Sequence, residues 1–241
     1  MTISVITATF NASSTLPSLI ESLRSQTDRD FEWVVVDGQS IDNTVTLVKN
    51  ANDLCPLVVS EVDFGIYDAL NKGVRAATGD YYVVIGADDV FNSDAIENFK
   101  SSLSQTNPPP DIVAASVLIG GKNVAPRSGL GWLYGMMGIA SCHSVGLLIK
   151  RSLHQDYGFY SNKFPILADQ LFVKTAYNCG ASIHRASFTS GFFSTDGLSA
   201  TDHLGMMTEF FRVQVLTEKY KFFQLVIFLI RLFKNIKKII Y

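Results

Sequence analysis

The sequence predicts an α/β protein with a mostly parallel, three-layer sheet, and three observations carry that expectation. Short β-branched runs alternate with segments of helical periodicity three times in the first ninety residues, the pattern of βαβ units. Residues 81–85 form a continuously apolar run that reads as a buried strand. Finally, Asp37, Asp63 and the pair Asp88-Asp89 stand where strands run out. Parallel topology sends all four to one sheet edge, the edge at which open α/β sheets bind ligands.

Residues 3–9 read as a central first strand. Ser13 or Ser14 can cap the helix that follows, Pro17 is tolerated in its first turn, and Leu16, Leu19, Ile20 and Leu23 form its apolar stripe. A second strand over 31–36 ends at Asp37-Gly38, and Asp42 is a plausible N-cap for a helix through Val45, Leu47 and Val48. Residues 57–59 make a third strand. The next helix gathers Ile66, Ala69, Leu70, Gly73, Val74 and Ala77 on one face, with Gly79 suited to a left-handed stop. Asn92 or Ser93 caps a helix to about residue 103, and the three prolines at 108–110 interrupt both helix and strand. Beyond them, 112–119 and 145–149 read as strands, Gly120-Gly121 as a turn, 129–138 as a mobile loop or short helix, and 169–179 as a helix.

From Lys219 the composition changes. The segment KYKFFQLVIFLIRLFKNIKKIIY carries basic residues and no acid, with Lys221, Gln224, Arg231, Lys234, Asn235 and Lys238 near one helical side. Its uncharged apolar core, 222–230, is about nine residues, against the roughly 20 that a spanning helix needs. A basic amphipathic helix lying in a membrane interface is the expectation, with docking on the domain or a partner subunit as the alternative.

Composition excludes several classes. The chain of 241 residues is long enough for a sizeable core and defaults to one domain with an appendage. A net charge of −2 and the absence of a basic–aromatic pattern give no case for nucleic acid. Cys55, Cys142 and Cys179 are scattered, outside disulfide-framework or zinc spacing, and fit free thiols in a reducing compartment. The N-terminus enters a strand without a basic leader region, so a cytoplasmic location is expected. There is no GxGxxG after the first strand, no GxxxxGK[ST], no GxSxG elbow and no His spacing suited to a metal. Lack of a Gly-rich loop after the first strand also disfavours a nucleotidyltransferase.

Singly, Asp37-Gly38 reads as a turn, Asp63 as a loop residue and Asp169 as a helix cap. Together the carboxylates at one edge suit a nucleotide sugar, since carboxylates can hold base or ribose hydroxyls and a divalent cation can bridge Asp89 to a diphosphate.

Four ordered motifs then carry a resemblance: Ile6-Thr7-Ala8-Thr9-Phe10-Asn11, Asp37-Gly38-Gln39-Ser40-Ile41-Asp42-Asn43-Thr44, Asp63-Phe64-Gly65-Ile66-Tyr67-Asp68-Ala69-Leu70-Asn71-Lys72-Gly73 and Ala87-Asp88-Asp89. They resemble the family 2 glycosyltransferases, closest to the bacterial branch that builds capsule, colanic-acid-type and O-antigen polysaccharides. Cys142-His143-Ser144 and residues 164–171 extend the likeness, which runs from about Thr2 to Ser199. The resemblance implies a GT-A fold and inverting transfer from a nucleoside-diphosphate sugar to a lipid-linked or polysaccharide acceptor, at the inner face of the cell membrane. By motif position Thr7, Ala8, Thr9 and Asp37 line the nucleobase pocket, Asp63, Asn71 and Lys72 lie near the donor, and Asp88 approaches the ribose. Asp89 coordinates Mg2+ or Mn2+, Asp169 is the base, and Tyr67 and His143 sit toward the acceptor. Lys72 reads equally as a solvated helix charge, and His143 as a satisfied polar group. The implied layout is a GT-A domain over 1–218, with a nucleotide-sugar half (1–105) and an acceptor half (111–218), followed by a membrane-associating tail (219–241).

The sequence departs from the family pattern in three places. Gln39 stands where members often have Gly, Gln170-Leu171-Phe172 replaces the usual residues after the base, and Ala87 replaces the first acid of the metal motif. A non-catalytic scaffold subunit of the same fold is the alternative from a different functional class.

Overall fold

A computed structural model describes residues 1–141, 143–194 and 202–240, with side chains through residue 235. Cys142, Ser199, Tyr241 and the side chain of Lys238 lie outside the described residues. Strand β1 (Ile3–Thr9) is the centre of the parallel half. It pairs in parallel with β2 (Glu32–Asp37) and β4 (Tyr81–Val84), and β3 (Leu57–Ser60) adds in parallel outside β2. The sheet continues from β4 through β8 (Leu147–Lys150), β6 (Ile112–Ile119), β9 (Ile183–Phe193) and β5 (Val90–Phe91), with β7 (Lys122–Val124) alongside β6. β8 is antiparallel to β4 and to β6, while β6 and β9 are parallel, so the carboxyl ends of β1, β2, β3, β4, β6 and β9 share one edge.

Helices cover both faces. On one, α1 (Leu16–Arg24), α2 (Thr44–Asn50) and α4 (Ala95–Ser104) bury Leu16, Leu19, Leu23, Val48, Ile96 and Phe99 against Val5, Trp33 and Val35. On the other, α3 (Ile66–Ala76) and α7 (Ala168–Asn178) bury Leu70, Val74, Phe172 and Val173 against Ile6, Val34 and Val36. The two-residue period of each strand feeds both cores, which is why the strands are apolar on both faces.

Several local expectations change. α1 has Thr15 at its N-cap position, without a side-chain cap, while the Ser13 amide donates to Asp42 Oδ2 at 3.1 Å. Asp42 also accepts the Thr44 amide, and the Thr44 hydroxyl holds its carboxyl well below the usual range. α4 starts after Asp94, without a side-chain cap. Gly79 is not left-handed; α3 stops at an extended Ala77. A Cβ on Gly79 would sit 2.8 Å from the Ser4 backbone nitrogen, so the position needs space rather than positive φ. Residues 131–138 resolve into a short helix, α5 (Gly131–Tyr134), and a 3-10 turn. The reading from sequence did not include β5, β7, β9, α6 (Leu153–Tyr157) or α8 (His203–Thr217).

The last helix, α9 (Lys221–Ile240), turns its polar side toward the domain. Gln224 is 3% exposed and donates to Trp132 O at 2.9 Å, Arg231 donates to Leu133 O, and Phe228 stacks on Phe211 of α8. The opposite side exposes Phe222 (78%), Leu229, Ile230 and Phe233 (73%), with Lys221 and Lys234 also exposed. Among the described residues, no helix is long and apolar enough to cross a membrane.

Candidate active site

The loops after β1, β2 and β3 are joined at the carboxyl edge. Asn11 donates its amide to Ser40 Oγ and accepts the Ile41 amide on Oδ1. Asp37, 1% exposed, accepts the Thr9 hydroxyl at 3.1 Å, the Ser40 amide at 3.0 Å and the Ser60 hydroxyl at 2.9 Å. Asp63 accepts the Gly65 amide and lies over Gly38, where a Cβ would stand 2.5 Å from Asp63 Oδ2 and 3.4 Å from the Phe10 ring. Asp37, Asp63 and Thr9 therefore form one cluster, with half-exposed Ala8 and exposed Phe10 beside it.

Three residues of the expected donor side have other tasks. Thr7 is fully buried on the same face of β1 as Thr9 but two residues further from the strand's carboxyl end, where its hydroxyl accepts from the Trp33 indole at 3.2 Å inside the core. Asn71 is buried and clamps the backbone of Tyr160, donating to its carbonyl at 2.8 Å and accepting its amide at 2.9 Å. Lys72 ties down the 61–68 loop through Val62 O at 2.6 Å, Glu61 at 3.1 Å and Asp68 at 3.2 Å, so it is not a free surface charge.

A separate cavity of about 740 Å³ is lined by Asp88, Asp89, Tyr67, His143 and Asp169, bringing together residues up to 102 positions apart. It falls within the range of roughly 300–1,000 Å³ typical of ligand sites. Asp88 is exposed and Asp89 1% exposed. Both bend over Gly86, whose Cβ would lie 2.7 Å from Asp88 Oδ1 and 2.8 Å from Asp89 Oδ2. Asp89 accepts the Gly86 amide at 3.0 Å and the Ser194 amide at 2.9 Å, yet burial, with the Asp88 charge adding to it, pushes its carboxyl up to about 7. Two converging oxygen donors, one of them short of countercharge, suit a hard divalent cation. Among the described residues no third acid, His or Cys completes an all-protein cage.

Asp169 stands in the first turn of α7, whose start at Ala168 follows the turn at 166–167. Its Oδ1 accepts the Gln170 amide and lies 2.8 Å from the Tyr67 hydroxyl, which also lies 2.7 Å from Ile166 O. One hydroxyl proton serves only one of these acceptors. The Tyr67 hydroxyl therefore divides its proton between them. Burial raises the Asp169 carboxyl, opposed by the bonds it accepts from Tyr67 and the Gln170 amide. Oδ2 makes no hydrogen bond among the described residues, which leaves it for a ligand. Next to it, Gln170 Oε1 is a buried acceptor without a partner among the described residues, also facing the cavity.

His143 stacks on Phe193 at 3.6 Å and accepts the Val145 amide on Nδ1, which assigns the ring proton to Nε2. Burial lowers its pKa to about 4, so the ring is neutral. Phe193 and Ser194 were missed in the sequence because β9 was missed. Its Ile183, Phe188, Thr189, Phe192 and Phe193 were the available signal.

Parallel strands whose carboxyl ends gather acids beside a ligand-sized cavity define a nucleotide-binding type of α/β protein. The chain belongs to glycosyl transferase family 2, whose model matches residues 4–158. It is 30% identical over 173 residues to a PGL/p-HBAD biosynthesis glycosyltransferase of Mycobacterium bovis (strain BCG / Pasteur 1173P2), covering 69% of this chain and 66% of that protein. Amylovoran biosynthesis glycosyltransferase AmsB of Erwinia amylovora is 29% identical over 99 residues, 39% of this chain and 33% of its own. Among solved structures, S. aureus TarS 1-349 in complex with UDP-GlcNAc superposes with a TM-score of 0.71 at 18% identity, covering 97% of this chain and 73% of that one. Mannosyltransferase PcManGT from Pyrobaculum calidifontis, in complex with GDP-Man and Mn2+, gives 0.69 at 18% identity over 90% of this chain and 64% of that one. These likenesses establish the GT-A fold.

Proposed function

We propose that the chain is an inverting glycosyltransferase, moving a sugar from a nucleoside-diphosphate sugar to a lipid-linked or polysaccharide acceptor in cell-surface polysaccharide or glycolipid synthesis. The observation that carries this reading is the single cavity lined by Asp88-Asp89 at one strand end and Asp169 at a helix start. Asp37 and Asp63 receive the nucleoside at the adjoining edge, with Ala8, Thr9 and Phe10 beside them. Asp88 and Asp89 would hold Mg2+ or Mn2+, which would supply Lewis-acid stabilisation of the leaving diphosphate. The metal in the mannosyltransferase complex supports that choice.

The acceptor hydroxyl attacks the anomeric carbon, the bond to the diphosphate breaks with its electron pair leaving on the diphosphate, and Asp169 Oδ2 takes the hydroxyl proton. Gln170 Oε1 and the Nε2–H of His143 orient the acceptor. Residues 1–218 form the catalytic domain, with the donor half over 1–105 and the acceptor half over 111–218. The tail, 219–241, places this domain on the inner face of the membrane. Support for that location comes from α9, which meets the domain with Gln224 and Arg231 and turns Phe222, Leu229 and Phe233 outward.

The test is the isosteric Asp169→Asn variant, with metal-dependent hydrolysis and transfer measured over a panel of UDP-, GDP- and dTDP-sugars. Transfer should fall by about 100-fold or more while donor binding persists, in line with the loss of a general base. Unchanged turnover would refute the assignment.

A further inference from the structure

The turn that delivers Asp169 is held from two sides. From α3, the Tyr67 hydroxyl meets Ile166 O and Asp169 Oδ1. From α8, Glu209 accepts the Ile166 amide at 3.0 Å and the Leu167 amide at 2.9 Å, both on Oε2. Glu209 is 5% exposed, and among the described residues no Lys, Arg or His pairs with it. A buried carboxylate without a cation is costly unless its location requires the charge. Here it stands at the N-terminal end of α7, where free amides and the helix dipole stabilise an anion. Leu167, the residue preceding α7, cannot cap the helix itself. Glu209 supplies the cap from another element.

We propose that Glu209 is a positioning residue of the transfer reaction, fixing from α8 the 166–167 turn that sets the place and the electrostatic surroundings of Asp169. This rests on the reading of Asp169 as the base.

The charge of Glu209 favours the protonated form of Asp169. The other titratable groups facing Asp169 are Tyr67 from α3, Tyr82 from β4 and Tyr160 from the 158–167 loop; Asp88, Asp89, His143, His203 and Arg231 share the cavity wall. Glu209→Gln keeps an oxygen for both amides and removes only the charge, so it separates charge from scaffolding.

The experiment measures kcat, donor KM and the pH profile of transfer for the full chain and for Glu209→Gln, Glu209→Ala and Asp169→Asn. In Glu209→Gln the acid limb of the kcat profile should move to lower pH, with plateau kcat within about twofold. In Glu209→Ala the turn loses both bonds, and kcat should fall by about 10- to 100-fold at unchanged donor KM, the scale of a displaced catalytic group. An acid limb that stays in place in Glu209→Gln, or wild-type kcat in Glu209→Ala, overturns the proposal. Wild-type transfer in Asp169→Asn instead overturns the assignment of the base, so the two failures are distinguishable.

Discussion

Asn71 separates two accounts of the motif that contains it. Motif position implies a residue near the donor, whereas the structure commits both of its polar atoms to the Tyr160 backbone, at 2.8 and 2.9 Å, with Asn71 5% and Tyr160 4% exposed. Asn71→Ala would leave one buried N–H and one buried carbonyl without partners. At about 1–3 kcal/mol for each buried group left unsatisfied, the expected loss is about 2–6 kcal/mol. That is a large share of the roughly 5–15 kcal/mol that holds a typical domain. For a chain of this size the same loss lowers Tm by roughly 4–24 °C. Tyr160 also bonds Tyr82 at 2.6 Å, and Tyr82 bonds His154 at 2.7 Å, so the disturbance reaches the core behind the cavity. Asn71→Asp should be no better, because its second oxygen would face the Tyr160 carbonyl. Urea denaturation with a linear extrapolation, alongside donor KM measured at a temperature where the variant is folded, provides the assay. A stability within about 0.5 kcal/mol of wild type, below the cost of even one unsatisfied group, with a tenfold rise in donor KM would refute the clamp and restore the donor contact.

Two further outcomes follow from the site. Tyr67→Phe removes a bond that lowers the Asp169 pKa, so the carboxyl ionises at higher pH and the acid limb of the transfer profile should move upward; a fixed limb would show that Tyr67 does not act on Asp169. Mn2+ competes with the proton on Asp89, whose pKa lies at about 7 without the metal. Affinity measured by calorimetry should therefore weaken as pH falls through that value, with a proton released on binding between the ordinary carboxylate range and about pH 7; pH-independent affinity would remove Asp89 from the metal site.

The first ninety residues were the legible part, and the reason is physical. Strands buried on both faces write themselves as apolar runs, and parallel topology forces Asp37, Asp63 and Asp88-Asp89 to one edge whatever the details of packing. Where along a strand the core ends and the open edge begins is less visible inside such a run. Thr7 illustrates this: it shares a face of β1 with Thr9, yet two residues deeper it meets Trp33 in a core while Thr9 meets Asp37 at the edge. The partners of Asn71 and Lys72 were hidden for a related reason. Spacing puts them on α3, but only the chain 89 positions later supplies the partner of Asn71. Glu209 left no local trace, because its role is to cap a helix that begins some forty residues earlier.

The last helix shows the same limit from the other direction. Its 3.6-residue pattern identifies two sides, with Gln224, Arg231 and Asn235 along one of them. Periodicity alone assigns the polar side to water. The structure instead needs that side, because the backbone carbonyls of Trp132 and Leu133 in α5 require donors, and Gln224 and Arg231 provide them. The guanidinium of Arg231 also lies 4.4 Å from the Phe210 ring, so its charge is accommodated against α8. Once the polar residues are committed inward, the apolar ones have nowhere to go but outward. The exposed row from Phe222 to Phe233 is thus a consequence of how α9 is held, and it leaves an apolar face flanked by Lys221 and Lys234. Such a face matches a membrane interface in both its hydrocarbon and its charge requirements, which connects the packing of α9 to the proposed location of the acceptor.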